Sequence, residues 1–513
     1  MPAFRFSAVV AMLLPPLIRT LLDPRLSPLA ARSLELMETH ASWIVLADDL
    51  AYKIKKPITL PFLDYGTLDK RRACCAAELQ LNRRYAAAIY LDVIRITGTP
   101  EQPEIDGAGP IIEYAVKMRR FAEAARLDHL AARNELTPAH MSSLAAEITQ
   151  FHAAAASAPT ASRFGAATHV LAPALENLDE LHALLPEATD RLQLAELRAW
   201  TLREAKRCDA VFTARKAAGR VRECHGDLHL GNLALIGERV VPFDCIEFND
   251  DFRWIDVASE LAFTLVDLLD HDKPGLACWL LNEWLVASGD FDALQVLRYY
   301  GVYRALVRAK VAALRARQED GAAAGRDIDA ARGYLALAWS VANPPPPALS
   351  ITCGVSGSGK SRAAKARLLA DSLCTTVRLR SDVERKRLHG LAPDQRSDSP
   401  VDGGIYTPAA HAATYRRLEE LARLALRASW SVIVDAAFLK RAERAAFQRL
   451  AANNDVPFAI LACDAPVAEL RRRVAGRTGD ASEATLAVLE RQLSDREALT
   501  ADEQAFVLRV APT

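Results

Sequence analysis

The stretch V-R-E-C-H-G-D-L-H-L-G-N-L-A-L runs from Val221 to Leu235, and V-V-P-F-D follows it at Val240–Asp244. Asp227 is followed five residues later by Asn232, and Asp244 is predicted to end an apolar strand. Phosphoryl transfer needs one carboxylate to accept the proton of an acceptor hydroxyl, and oxygen ligands to hold Mg²⁺. Two acids and an amide at this spacing therefore favour a phosphotransferase site. The alternative is a chance cluster of turn residues.

A second phosphate-handling pattern, G-V-S-G-S-G-K-S, lies far downstream at Gly354–Ser361. It is a P-loop, with an apolar strand predicted before it and a helix after it. Lys360 is expected to reach the β- and γ-phosphate oxygens, and Ser361 to bind Mg²⁺. The phosphate cradle is expected to come from Gly354, Ser356, Gly357, Ser358 and Gly359.

The composition of the chain excludes several classes of function. Lys+Arg and Asp+Glu both number 64, so no global field attracts nucleic acid or an anionic membrane. Nine cysteines without C-x-x-C spacing indicate reduced structural thiols and a cytoplasmic location. No run reaches the roughly 18 apolar residues of a membrane span.

The clearest boundary in the 513 residues is the proline run at Asn343–Pro347, which is typical of a stiff spacer. We predict an extension and lead-in helix over residues 1–34 and a first domain over 35–340. A linker at 341–348 and a second domain at 349–513 complete the division. Residues 1–11 match no element of the first domain, and we expect translation to start at Met12.

Strands come early in the first domain and helices late. The pattern predicts strands at Ser42–Leu46, Ala51–Ile54 and Ile111–Val116, and a helix at Thr67–Tyr90. Helices are predicted over most of 128–220 and from Asp256 to Ala342. We expect an α+β fold with a small β-rich lobe on a larger helical lobe.

Strands and helices alternate after the proline run, which predicts a parallel sheet flanked by helices, an α/β fold. The predicted strands are Leu349–Cys353, Thr375–Leu379 and Ser431–Asp435, and the first predicted helix is Lys360–Asp371.

The His225–Asn232 segment resembles the catalytic loop of the aminoglycoside phosphotransferase family, which has a kinase-like fold. The resemblance covers roughly residues 35–335. It implies that Asp227 is the catalytic base, that Asn232 and Asp244 hold Mg²⁺, and that His225 positions the loop.

The kinase-like fold also requires a lysine on its third strand and a partner glutamate from the next helix. Lys53 in L-A-Y-K fits that position, with Lys55 in reserve on the same face, and Glu78 is the expected partner. Solvated surface charges are the alternative for all three. The glycine-rich loop of protein kinases is missing, since residues 41–49 contain no glycine.

Three further features of the first domain carry predictions. Glu113–Met118 is expected to form the hinge whose backbone binds adenine, and Asp256 to place a negative charge at a helix start. Arg304, Arg308 and Arg315 lie near one helical face. They would favour an anionic acceptor if that face lined the pocket, and otherwise they form a solvated stripe.

The segment Leu379–Arg385 after the P-loop resembles the gluconate kinase and polynucleotide kinase type of P-loop kinase, which is grouped with AAA-family ATPases. That resemblance implies that Asp382 activates the acceptor hydroxyl and Arg385 holds the acceptor. A helix cap with a surface charge is the alternative. Asp435 resembles the second-strand acid near Mg²⁺, and Arg473 and Arg477 resemble an arginine lid over ATP.

The whole layout is similar to fused proteins with an aminoglycoside-phosphotransferase-like half and a P-loop kinase half. It predicts a bifunctional kinase that uses ATP and Mg²⁺ to phosphorylate hydroxyl groups of small molecules. One alternative is an N-terminal kinase regulated by a C-terminal ATPase or nucleotide sensor. Another is polynucleotide kinase activity in the second half, which the neutral charge disfavours.

Overall fold

The computed structural model describes residues 14–60, 63–397, 399, 403–476 and 484–509. Contacts divide the chain into two compact units. The first unit comprises Met1–Leu136, Gln150–Gly165 and Gly219–Glu260, and the second comprises Thr137–Thr149, Ala166–Ala218 and Leu261–Thr513. The Met12 start falls outside the described residues.

The first unit is built on a six-stranded sheet in the order β1-β2-β3-β8-β6-β7, and every neighbouring pair is antiparallel. Apolar side chains such as Val45, Ile54 and Ile96 are buried in its core. The strands are β1 (Leu34–Glu38), β2 (Ser42–Ala47), β3 (Leu50–Lys55), β6 (Tyr90–Thr99), β7 (Gln102–Ile105) and β8 (Ile111–Arg119).

One long helix, α2, follows the third strand and spans Leu68–Ala86. Thr67 caps it, because its side-chain oxygen accepts a hydrogen bond from the backbone N–H of Lys70 at 3.3 Å. The helix was predicted to extend to Tyr90. That residue instead begins β6, where it pairs with β8. The remaining short elements before α3 are α1 (Pro16–Leu22), β4 (Thr59–Leu60) and β5 (Leu63–Asp64).

Two short antiparallel strand pairs carry the catalytic-loop region. The first is β9 (Val221–Glu223) with β12 (Trp254–Asp256), and the second is β10 (Leu233–Ile236) with β11 (Arg239–Pro242). Leu230–Asn232 forms a 3₁₀ turn just before β10. This arrangement, with the antiparallel sheet and α2, confirms the predicted kinase-like α+β fold.

Helices fill most of the chain between β8 and β13. Leu178, Leu197, Leu306 and Leu335 are buried together in one core of the second unit. The helices are α3 (Leu127–Ala132), α4 (Pro138–Ala154), α5 (Ala167–Leu184), α6 (Ala188–Ala217), α7 (Asp250–Arg253), α8 (Val257–Asp270), α9 (Pro274–Ser288), α10 (Leu297–Ala316) and α11 (Gly321–Ala342).

The proline run follows α11, and a five-stranded sheet begins after it in the order β14-β15-β13-β16-β17. All its pairs are parallel, so the predicted α/β P-loop fold is confirmed. Its strands are β13 (Leu349–Cys353), β14 (Thr376–Arg380), β15 (Ser431–Asp435), β16 (Phe458–Ala462) and β17 (Val507–Arg509). Its helices are α12 (Lys360–Leu369), α13 (Ser381–Leu388), α14 (Pro408–Arg427), α15 (Arg441–Ala452), α16 (Val467–Ala475), α17 (Leu486–Asp495) and α18 (Ala501–Gln504).

Within the described ranges, no helix combines the length and the apolar character that a membrane crossing requires.

A buried ion pair holds α15 to the short helix α18. The guanidinium of Arg444 donates to both carboxylate oxygens of Glu503, at 2.7 and 3.0 Å, and Arg444 is only 1% exposed. It also donates to the backbone carbonyls of Phe438 and Leu439. Removing one member of such a pair leaves the other charge buried and unpaired.

We therefore predict that Arg444→Met lowers the free energy of unfolding of the full chain by about 3–5 kcal/mol. Arg449→Met is the matched control, because Arg449 lies on the same helix and is exposed. The control should stay within about 0.5 kcal/mol of the wild type. Urea unfolding followed by tryptophan fluorescence measures both, and equal effects of the two changes would contradict the prediction.

Candidate active sites

The predicted lysine, glutamate and metal aspartate of the first half meet at one point. The Lys53 ammonium donates to Glu78 Oε1 at 2.9 Å and also pairs with Asp244 Oδ1. Lys53 is 8% exposed and Glu78 is fully buried. Burial alone would lower the pKa of Lys53, but the carboxylates of Asp244 and Glu78 outweigh it and raise that pKa well above its ordinary value. The lysine is therefore a fixed cation and not a solvated surface charge.

The reserve lysine, Lys55, is committed to a second buried network. Its ammonium donates to the other oxygen of Glu78 at 2.7 Å and to the Tyr65 hydroxyl at 3.2 Å, and it pairs with Glu247. The Glu78 carboxylate therefore binds one lysine with each oxygen. Burial opposes its ionisation, but the two lysines lower its pKa to about 2. Sequence reasoning missed Tyr65 and Glu247, which no local motif marks.

Asp227 and Asn232 lie side by side in the catalytic-loop segment. The amide nitrogen of Asn232 donates to the Asp227 carbonyl at 3.0 Å and to its carboxylate at 2.9 Å. His229 Nε2 lies 3.4 Å from the same carboxylate oxygen. The Asp227 side chain is 36% exposed, so an acceptor can reach it. His225 is buried and its Nε2 lies 2.9 Å from the carbonyl oxygen of Phe243, as expected of a residue that positions the loop.

Glu260 holds this loop from behind and was not predicted. Its Oε1 accepts the backbone N–H groups of His225 and of Gly226, the latter at 3.0 Å. Its Oε2 lies 2.5 Å from Nε2 of the buried His152. Gly226 has φ of +90°, and a Cβ there would lie 2.7 Å from the Phe252 carbonyl, so glycine is required. Asp256, as predicted, accepts the N–H of Ala258 at a helix start.

Asp244 was predicted to end an apolar strand, but β11 ends two residues earlier, at Pro242. The Asp244 backbone has φ of +63°, a left-handed conformation that an extended strand cannot accommodate. The Tyr90 hydroxyl receives its N–H at 3.0 Å. The Asp244 side chain is 43% exposed and turned toward Lys53, so it remains available to a cation.

The predicted hinge at Glu113–Met118 is wrong. The segment is the middle of β8, which pairs with β3 on one side and β6 on the other. Its backbone groups are used by the sheet, so they are not free to bind adenine. Glu113 instead forms a buried ion pair with Arg71 at 2.8 Å.

Of the three arginines expected on one face of α10, two form ion pairs with neighbouring helices and one is buried against aromatic rings. Arg304 is buried against the rings of Phe263 and Tyr303, and its guanidinium carbon lies 4.8 and 5.4 Å from their centres. Arg308 pairs with Asp267 at 3.3 Å, and Arg315 with Asp327 at 3.5 Å. A solvated stripe is therefore wrong for Arg304.

The P-loop site joins the loop to Asp435 at the end of β15. Ser361 Oγ donates to Asp435 Oδ2 at 3.0 Å, and Arg378 donates to the same oxygen at 3.0 Å through Nε. Burial alone would raise the pKa of Asp435, but Arg378 and Lys360 lower it overall. The Lys360 ammonium donates to the Val355 carbonyl at 2.8 Å. Arg378 was not predicted, because its place in T-V-R-L-R looks like any strand residue.

The phosphate cradle has several amides engaged, and one hydroxyl has no partner among the described residues. The N–H of Gly354 donates to the Ala437 carbonyl at 3.0 Å, and that of Ser358 to the Val355 carbonyl at 3.2 Å. The N–H of Ser356 donates to the side-chain carbonyl of Gln492 at 2.7 Å. The Ser358 hydroxyl is buried and forms no hydrogen bond within the described residues. Such an orphaned hydroxyl beside Gly357 and Gly359 fits a loop that receives phosphate oxygens.

Asp382 and Arg385 open into the same cleft as Lys360, Ser361 and Asp435. The cleft has a volume of about 580 Å³, enough for a nucleotide end and a small acceptor. Arg385 Nη1 lies 3.5 Å from Asp382 Oδ1, and its guanidinium carbon lies 5.0 Å from the Tyr406 ring centre. The two residues therefore share one face of α13, and Arg385 is 9% exposed rather than a surface charge.

One of the two predicted lid arginines reaches the P-loop. Arg473 Nη1 donates to the Gly357 carbonyl at 3.3 Å, and its Nε donates to Glu469 at 2.6 Å. Arg477 lies outside the described residues.

Residues 349–499 match the family model described as an AAA domain, which confirms the resemblance predicted for the second half. An uncharacterised protein of Mycobacterium tuberculosis (strain ATCC 25618 / H37Rv) is 29% identical over 456 residues, which cover 88% of each chain. An uncharacterised protein of Mycobacterium bovis has the same identity and coverage. The likeness to these relatives spans both halves.

Solved structures similar to this chain include two kinase-like proteins. A choline/ethanolamine kinase family protein from Mesorhizobium loti is 14% identical, covers 70% of this chain and 97% of its own, and has a TM-score of 0.37. An aminoglycoside phosphotransferase from Alicyclobacillus acidocaldarius is 15% identical, with 60% and 89% coverage and a TM-score of 0.37. An APS kinase from Mycobacterium tuberculosis is 26% identical over 26% of this chain and 71% of its own, with a TM-score of 0.21.

The ionisation of the Glu260 carboxylate is expected to make the stability of the fold depend on pH. Burial opposes its ionisation, but the hydrogen bond and charge of His152 lower its pKa from 4.5 to about 2. Because the pKa is lower in the folded state, the stabilisation is present above the unfolded value and is lost as the pH falls from about 4.5 toward 2. A difference of this size corresponds to about 3 kcal/mol at neutral pH.

We predict that Glu260→Gln removes up to about 3 kcal/mol of stability at pH 7 and flattens the acid side of the stability curve. Glu238→Gln is the control, since Glu238 is exposed in the turn between β10 and β11. Urea unfolding at pH steps from 7 to 3 measures this. An unchanged slope in Glu260→Gln would contradict the assignment.

Proposed function

We propose that the chain is a bifunctional ATP-dependent phosphotransferase with two ATP sites of unrelated design. The observation that carries the proposal is that a lysine lies near an acid in each half. We assign the lysine to phosphate, that acid to Mg²⁺ and a further acid to the acceptor. In the first half these are Lys53, Asp244 and Asp227. The second half gathers Lys360, Asp435 and Asp382 around one cleft. The acceptors are small molecules with a hydroxyl group, and the need for ATP favours a cytoplasmic location.

In the first site, Lys53 binds phosphate oxygens of ATP while Glu78 keeps it in place. Asn232 and Asp244 supply oxygen ligands for Mg²⁺, whose charge stabilises the phosphates when it is bound. The fit is supported by the half-exposed Asp244 carboxylate, which an ammonium now neutralises. Asp227 accepts the proton of the acceptor hydroxyl, and its contact with Asn232 fixes the direction of the carboxylate.

In the second site, the P-loop amides and Lys360 bind the phosphates, and Ser361 and Asp435 hold Mg²⁺ or its waters. The Ser361–Asp435 hydrogen bond supports this pairing. Asp382 orients and deprotonates the acceptor hydroxyl, and Arg385 holds the acceptor. Arg473 neutralises charge on the transferred phosphoryl group from the far side of the P-loop.

A second candidate function is a nucleotide sensor in the C-terminal half that regulates the kinase in the N-terminal half. The contact that favours it is Gln492 on the Ser356 amide, which must open before a phosphate can use that amide. A sensor would bind ATP without phosphorylating an acceptor. The two candidates therefore differ in whether Asp382 is needed for turnover.

The experiment is a metabolite-library screen with γ-labelled ATP on the full chain and on two variants. Asp227→Asn should lose labelling of the first acceptor by about 10²–10⁴-fold, and Asp382→Asn should lose labelling of the second acceptor to a similar extent. Each variant should keep the other activity, since the two acids belong to different sites.

Nucleotide affinity provides the control for both variants. Each asparagine should leave the dissociation constant for ATP within about threefold of wild type, because the lost group acts mainly in the transition state. A single acceptor labelled only through Asp227 would favour the sensor. Labelling that survives both substitutions would contradict the proposed roles of both acids.

A further inference from the structure

The helical segment Pro274–Arg298 belongs by sequence to the first predicted domain, yet it lies against the P-loop sheet within the second unit. Asn282 on α9 is buried and bonds to the backbone of β14 in both directions. Its oxygen accepts the Arg378 N–H at 2.6 Å, and its nitrogen donates to the Thr376 carbonyl at 2.9 Å. Because β14 is an edge strand, its outer backbone groups have no neighbouring strand to bond to. The Asn282 amide supplies one hydrogen-bond donor and one acceptor in place of such a strand.

A second contact lies one turn further along α9, near its C-terminal end, and involves Arg387 of α13. Its guanidinium donates to the Val286 carbonyl at 2.6 Å and lies 5.8 Å from the Phe291 ring centre. Gly289 has φ of +67°, and a Cβ there would lie 2.9 Å from Arg387 Nε. A cation near the last carbonyls of a helix is favoured by the helix dipole. Val286, Gly289 and Phe291 thus form a socket for Arg387.

Two further contacts join the segment to the turn before β15. The Trp430 indole N–H donates to the Leu294 carbonyl at 3.0 Å. Arg298 donates to the Ser429 carbonyl at 2.9 Å, and its guanidinium carbon lies 4.3 Å from the Trp430 ring centre. The segment therefore touches β14, α13 and the turn before β15. Its helix α9 also packs against α12, where the Lys365 ammonium lies 5.5 Å from the Trp279 ring centre.

We infer that Pro274–Arg298 is a positioning layer for the second site, with Arg387 as the residue that fixes the acceptor-side helix. Arg387 lies on the same eight-residue helix as Asp382 and Arg385, so a shift at its socket moves both. The layer also affects Asp435. Its partner Arg378 lies on β14, and Asn282 holds that strand. The inference rests on the proposed function only where it calls Asp382 and Arg385 acceptor-side residues.

The inference predicts a division between chemistry and nucleotide binding. Lys360 and Ser361 lie on α12, whereas Arg387 contacts Glu384 on its own helix and Val286 and Phe291 in the socket. Loss of the socket should therefore disorder α13 and slow transfer, while the P-loop keeps its affinity for ATP. General loss of structure would weaken both together.

The first test is amide hydrogen exchange on the full chain with Arg387→Met. Peptides covering Ser381–Leu388 should exchange about tenfold faster than in wild type, and peptides covering Lys360–Leu369 should be unchanged. Arg427→Met is the matched control, because Arg427 is exposed in the last turn of α14. Unchanged exchange in Ser381–Leu388 would overturn the inference, and this readout needs no acceptor.

The second test is turnover at the second site, measured in an Asp227→Asn background with the acceptor found by the labelling screen. Arg387→Met should lower kcat by about tenfold or more and leave the dissociation constant for ATP within about twofold. Arg387→Lys keeps a cation near Val286 and should recover part of the loss. Faster exchange with unchanged kcat would refute the positioning role. A wild type that phosphorylates no acceptor would refute the proposed function, and the exchange result would still decide whether the layer holds α13.

Discussion

Both candidate sites depend on a carboxylate that is ionised although it is buried, and such a charge persists only when a cation compensates it. Glu78 is fully buried and binds Lys53 with one oxygen and Lys55 with the other. Asp435 is 6% exposed and is compensated by Arg378, which is 4% exposed. In each case the ion pair fixes a side chain that the proposed chemistry needs. The fold therefore has to bring a carboxylate and a cation together from distant parts of the chain.

We propose that the two sites bind phosphate by different means. The first uses a single lysine on a strand, held by a helix glutamate, and the second uses a glycine-rich turn between a strand and a helix. Behind the first, Glu260 holds two amides of the catalytic loop, so a buried charge again fixes a reactive segment. The helices after Glu260 group with the P-loop sheet by contacts, whereas the proline run suggested a division at Asn343.

Sequence patterns predicted the site features whose residues lie close together in the chain. The P-loop and the Asp227–Asn232 pair could be predicted because each depends on neighbours within a few residues, and Lys53 because it lies in a recognisable strand pattern. Glu247, Glu260 and Arg378 were missed, since their roles arise from partners 34 to 192 residues away, such as Gly226 for Glu260 and Lys55 for Glu247. The hinge at Glu113–Met118 failed because an apolar strand pattern does not reveal that both edges of the strand are paired.

The central claim is that one chain holds two independent ATP sites. Isothermal titration of the full chain with a non-hydrolysable ATP analogue and Mg²⁺ tests it most directly. The account predicts two sites in wild type, one site in Lys360→Ala and one in Lys53→Met, with the remaining site unchanged in each variant. A single site in wild type, or a variant that loses both sites at once while it stays folded, would contradict the account.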